Sequence, residues 1–115
     1  MKKSNLFEKL RQLNPWPVTL TKEVAKAIDS IKRVEEGLLG NIKSQRIILD
    51  LFERAIVALS TFPPDDQIFT DPRPYLYDIR VWLVVTQSHR KIIVKAEYHF
   101  NEHECIITDF GVRET

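Results

Sequence analysis

At 115 residues, with 43% hydrophobic and 29% charged side chains, the chain fits one domain that buries a core without disulfides or a structural metal, and its balance is not that of a disordered segment. Its 17 Lys and Arg against 16 Asp and Glu give a formal charge of +1, which excludes a global field for recruiting nucleic acid, acidic lipid or acidic substrate. The single cysteine, Cys105, excludes an intrachain disulfide and favours a reducing compartment; no apolar run nears the roughly 20 residues of a membrane span. Glu8, Lys9 and Arg11 interrupt any signal-peptide core, so a cytoplasmic location is expected, with no membrane partner.

Ser4 is placed to cap a short helix reaching about Leu13, in which Leu6, Phe7, Leu10 and Leu13 recur at helical spacing. Asn14-Pro15-Trp16-Pro17 ends it, because each proline removes a backbone donor. Thr21 then serves as N-cap for a second helix with Val24, Ala27, Ile28, Ile31, Val34 and Leu38 on its core side. Gly40 fits a left-handed helix terminus and Asn41 or Ser44 a new cap, so this region is either a helical hairpin or one kinked helix. The third helix, about Ser44 to Thr61, carries the widest apolar stripe, including Ile48, Leu51, Phe52, Ala55 and Leu59. The helical part thus spans about 4–62, and the proline-rich stretch 63–74 reads as a surface loop anchored by Ile68 and Phe69.

From Tyr75 the apolar period falls to two. Tyr75 to Thr86 and Lys91 to Phe100 form two strands, and joining them through Gln87-Ser88-His89-Arg90 fixes a register. Inward it sets Val85 against Ile92, Leu83 against Val94, Val81 against Ala96, Ile79 against Tyr98 and Tyr77 against Phe100. Outward it sets Val84 against Ile93, Trp82 against Lys95, Arg80 against Glu97 and Asp78 against His99, so that opposite charges meet. A slip of one residue destroys both sets. A third strand, about Cys105 to Val112, has conflicting parity: Ile106 and Phe110 suit the inner face, yet Ile107 is apolar too; Phe110 inward puts Asp109 outward within reach of Lys95. The expected fold is therefore α+β, a single domain over 1–115, with three N-terminal helices packed on one face of a three-stranded antiparallel β-meander spanning 75–113.

The outer sheet face carries the main candidate site: Arg80, Trp82, Ile93, Lys95, Glu97 and His99, with Ile107 and Asp109 as further members. A tryptophan and isoleucine among mixed charges mark a surface for a protein partner or a homodimer. For catalysis, Asp78 opposite His99 offers an oriented imidazole and Lys95 an anion-stabilising charge, although cross-strand attraction explains the same pair without chemistry. His89, Arg90, Lys91 and, further along, Arg113 form a small basic strip for phosphate contact, fewer cations than phosphate-driven binding recruits. His99, His103 and Cys105 fall short of a zinc ligand set, and no phosphate loop, nucleophile elbow or metalloprotease helix is present; the expectation is no metal and no cofactor, and the reading leans away from an enzyme.

The segments Arg90-Lys91-Ile92-Ile93-Val94-Lys95-Ala96-Glu97-Tyr98 and Cys105-Ile106-Ile107-Thr108-Asp109-Phe110-Gly111-Val112-Arg113 together resemble the closing hairpin of RelE/ParE-type toxins. That resemblance, covering about a quarter of the chain, implies a sheet that supports ribosome-dependent messenger RNA cleavage or gyrase poisoning, with an antitoxin covering it. It makes Arg80, Lys91, Lys95, His99 and Arg113 the groups available for RNA. The leading expectation is a non-enzymatic interaction module, and the toxin-like activity is the alternative.

Overall fold

The computed structural model describes residues 8–36, 42–64, 67–70, 78–87 and 89–114. A short helix, α1 (8–12), leads to β1 (Val18–Leu20), α2 (Lys22–Glu36), α3 (Ile42–Leu59), β2 (Gln67–Thr70), β3 (Asp78–Gln87), β4 (Arg90–His99) and β5 (Glu104–Glu114). The expectations for Ser4, Leu6, Phe7, Gly40, Asn41, Tyr75 and Tyr77 lie outside the described residues.

The expected three-stranded meander is overturned. The sheet has five strands in the order β1-β5-β4-β3-β2, and it is mixed, because β1 runs parallel to β5 while the other pairs are antiparallel. Both additions are short strands in stretches read as irregular. Val18–Leu20 follows directly on the prolines, where an extended chain needs only a neighbour to pair with, and it finds Cys105–Ile107. Gln67–Thr70 sits within the expected loop and pairs with Val81–Val84. Nor do three helices form one layer: α2 and α3 pack together on the sheet, α2 against β1 and β5, α3 against β3 and β4.

The β3–β4 register is the one the sequence dictates, from Asp78 opposite His99 through Trp82 opposite Lys95 to Val85 opposite Ile92. Every second residue points at the helices and is buried: Ile79, Val81, Leu83 and Val85 on β3, Ile92, Val94, Ala96 and Tyr98 on β4. On β5 the parity conflict resolves through a bulge. Lys95 pairs with Asp109 but Ala96 with Ile107, so Thr108 is the extra residue, its hydroxyl donating to the Lys95 carbonyl at 3.3 Å. The bulge lets Phe110 and Ile107 both face inward, Phe110 against Phe52 with ring centroids 5.4 Å apart and Ile107 fully buried. It corrects two placements: Ile107 belongs to the core, and Ile106 to the outer face, in register with Glu97 and Thr19.

Thr21 caps α2 as its side chain predicts, accepting from the Val24 amide at 3.3 Å. The proline segment does more than end α1. Trp16 is 2% exposed; its indole donates to the Leu10 carbonyl at 2.9 Å, its amide to the Ser60 carbonyl at 2.6 Å, and its ring meets Tyr98 edge-on at 5.1 Å. The Asn14 carboxamide acts as a strand of one residue, accepting from the Phe62 amide at 2.7 Å and donating to the Phe62 carbonyl at 3.1 Å. The Cys105 amide donates to the Pro17 carbonyl at 2.8 Å, so 14–18 ties the end of α3 to the start of β5.

Candidate functional site

The pleat that buries one set of β3, β4 and β5 side chains turns the other set outward, and the register arranges these in five rows across the strands. They run Thr86–Lys91–Arg113, Val84–Ile93–Gly111, Trp82–Lys95–Asp109, Arg80–Glu97–Ile106 and Asp78–His99–Glu104. The candidate binding residues Arg80, Trp82, Ile93, Lys95, Glu97 and His99 therefore share one face. Trp82 is 49% exposed, and the Lys95 ammonium stands 5.3 Å from its ring centroid, within cation–π range.

Glu97 bridges its neighbours: Oε1 accepts from His99 Nε2 at 3.0 Å and Oε2 lies 3.7 Å from Arg80 Nε. With the Arg80 and Glu97 side chains 51% and 31% exposed, this pair orients groups more than it stabilises the fold. Asp78 takes its expected place opposite His99 in the backbone register, and its side chain lies outside the described residues. Cys105 faces the helices, and burial pushes its thiol up to about 12, an inert thiol at neutral pH.

The basic strip divides. Lys91 and Arg113 are cross-strand neighbours on the outer face, but the pleat sends Arg90 to the opposite face, with exposed His89 in the turn. His99 and Cys105 also fall on opposite faces. His103 has φ 51°, a left-handed conformation that aims its ring back at the chain start: Nε2–H donates to the Leu13 carbonyl at 2.6 Å, with the Pro15 carbonyl at 3.2 Å, and the ring meets Trp16 at 5.0 Å. Among the described residues, no three His, Cys, Asp or Glu side chains are placed to hold a metal. No helix among them is long and apolar enough to cross a membrane.

Six members of the outer face escape a sequence reading: Thr19, Gln67, Phe69, Glu104, Ile106 and Gly111, of which Gln67 and Phe69 come in register with Val84 and Trp82 on the unforeseen β2. Thr19 arrives with the unforeseen β1, its hydroxyl donating to Glu104 Oε1 at 3.0 Å. Two adjacent isoleucines in a strand of period two were the available sign of a bulge, and with it of Ile106 turning outward. On the helical side a groove of about 440 Å³ opens between α2 and α3, lined by Leu20, Ile28, Phe52 and Ile56 with Lys32, Arg46, Asp50 and Glu53. It brings no imidazole or thiol together with those charges. No family model matches the chain, and no curated protein and no solved structure matches it.

Proposed function

We propose that this chain is a non-catalytic interaction module that engages a protein surface with its outer sheet face. The observation that carries this reading is Trp82, an indole half exposed among cations and carboxylates on the face turned away from α2 and α3. Half of this indole stays in water, and aromatic side chains and arginine are enriched where protein surfaces meet. Its neighbours Val84 and Ile93 extend the apolar centre, and the charged rows surround it as a rim. The one cysteine, Cys105, lies on the face opposite the Glu97–His99 contact. Four outward cations, Arg80, Lys91, Lys95 and Arg113, of which Arg80 and Lys95 share their rows with carboxylates, are few for binding driven by phosphate, which ranks an RNA-directed, toxin-like role second.

The test is the mass of the species that the chain forms in extracts of the cells it comes from. Wild type should elute heavier than the free 13.5 kDa chain, whereas Trp82→Ala and Ile93→Glu should elute at the free mass with unchanged circular dichroism. Elution of wild type as the free chain, or a heavy species indifferent to both substitutions, rejects the face. A heavy species that collapses on nuclease treatment reassigns it to nucleic acid.

A further inference from the structure

β5 is 11 residues long, and on the side away from β4 only its first part has a neighbour among the described residues. Val18–Leu20 pairs with Cys105–Ile107, the Cys105 amide donating to the Pro17 carbonyl at 2.8 Å and the Ile107 carbonyl accepting from the Thr21 amide at 3.2 Å. There the chain leaves the sheet for α2, and among the described residues no strand pairs with 108–114 on that side.

Side chains of β5 itself fill in for the missing neighbour. An antiparallel ladder uses the backbone of alternate residues, and Phe110 and Val112 are those that the ladder with β4 leaves turned to the open edge. The Phe110 amide donates to Asp109 Oδ1 at 2.9 Å, and the Val112 carbonyl accepts from Arg113 Nη1 at 3.2 Å, both in exposed positions. Burial stops short in the same place. Cys105 and Ile107, beside β1, are fully buried, whereas Phe110 and Val112, on the same inner side of the strand, are only partly so.

We propose that the open edge of β5, over 109–113, takes an extended segment of a partner protein as an added strand, antiparallel to β5 and in line with β1. This surface is separate from the outer face argued above and does not depend on it. An extended backbone is the occupant whose donors and acceptors recur at the spacing of Phe110 and Val112, and strand addition at a sheet edge draws its affinity from such main-chain bonds. Side chains then select the segment. Apolar residues opposite Phe110 and Val112 finish covering the helix-facing side. On the outer side Asp109 and Arg113 flank Gly111, so the segment carries a cation opposite Asp109 and a carboxylate opposite Arg113. A Cβ built on Gly111 meets nothing nearer than Arg113 Nη1, at 3.8 Å, so nothing in the fold demands glycine there, and its bare backbone leaves room for a bulky residue on the added strand. A second copy offers β5 the same charges about Gly111, but α2 packs on both β1 and β5 and so lies over the line where a two-fold axis would fall, and two copies of α2 would collide there. A segment without a helical layer avoids that collision.

Amide exchange followed by NMR on the full chain tests the edge. The probe is the capped peptide threonine-glutamate-valine-tryptophan-valine-lysine-threonine, which in antiparallel register sets its tryptophan opposite Gly111. Saturating peptide should slow exchange of the Val112 amide by roughly tenfold or more, and exchanging the peptide's glutamate and lysine should weaken binding by about the same factor. Arg113→Glu should weaken the original peptide similarly, and a peptide with lysine in place of that glutamate should recover the loss. No protection of Val112 by millimolar peptide, equal binding of the two charge orders, or an Arg113→Glu chain that binds like wild type overturns the proposal. So does protection of Val112 that rises with chain concentration alone, which gives the edge to a second copy.

Discussion

The two faces of the sheet are made of the same strands, residue by residue in alternation, yet they obey different constraints. Inward side chains such as Val94 and Tyr98 are fixed by contact with the helices: the Tyr98 hydroxyl donates to the Leu59 carbonyl at 2.7 Å, and Phe62 meets its ring at 4.9 Å. Outward side chains touch mainly one another, and only their charge order and a half-exposed indole distinguish them. An inner position therefore answers to stability, and an outer one to whatever the face meets. Substitution on one side should unfold the chain, and on the other should change its associations while leaving the fold.

The largest effect is expected where the inner side meets the proline segment. Trp16→Ala removes a buried indole together with its bond to Leu10, and should cost about 3–5 kcal/mol in denaturant unfolding. A loss no larger than that of Trp82→Ala would erase the distinction between the faces. The next is a pH effect confined to the inner side. Burial holds the Cys105 thiol protonated up to about 12 against an ordinary value of 9, and burial raises the Tyr98 hydroxyl in the same direction. Above pH 9 the unfolded chain therefore sheds protons that the native state keeps, so stability is intact below that point and falls as pH climbs toward 12. Between about pH 8 and 10 the loss should be on the order of 1–2 kcal/mol, and smaller in Cys105→Ala; an identical loss in that variant would remove the thiol from the account. The smallest effect has the opposite sign. Gly111→Ala on the outer face should raise stability by about 0.5–1 kcal/mol in denaturant unfolding. Destabilisation would mean that the glycine serves the fold after all.

The sequence makes the β3–β4 ribbon legible because ten alternating residues on each side leave one register that satisfies both faces, and Thr21 is legible because a cap is a local matter. The two short strands are not. Three residues, Val18–Leu20, carry no period, and their strand partners, Cys105–Ile107, lie 87 residues further on. Gln67–Thr70 is equally short, and the prolines around it read as loop. The bulge at Thr108 was visible only as a contradiction between Ile106 and Ile107, and resolving it needed Phe52 and the Lys95 carbonyl, both supplied by other elements. Of the candidate face, the members on β3 and β4 followed from the ribbon; Ile106, Glu104 and Thr19 required the bulge and the parallel strand.

The parallel pairing of β1 with β5 bears on how the chain is made. Threading from the ribosome, residues 14–20 emerge long before Cys105 and Ile107, whose backbone groups they must meet. Contacts of such sequence separation form late and slow the search for the native state. Residues 14–20 therefore wait for β5 to be translated before their pairing with Cys105–Ile107 can form.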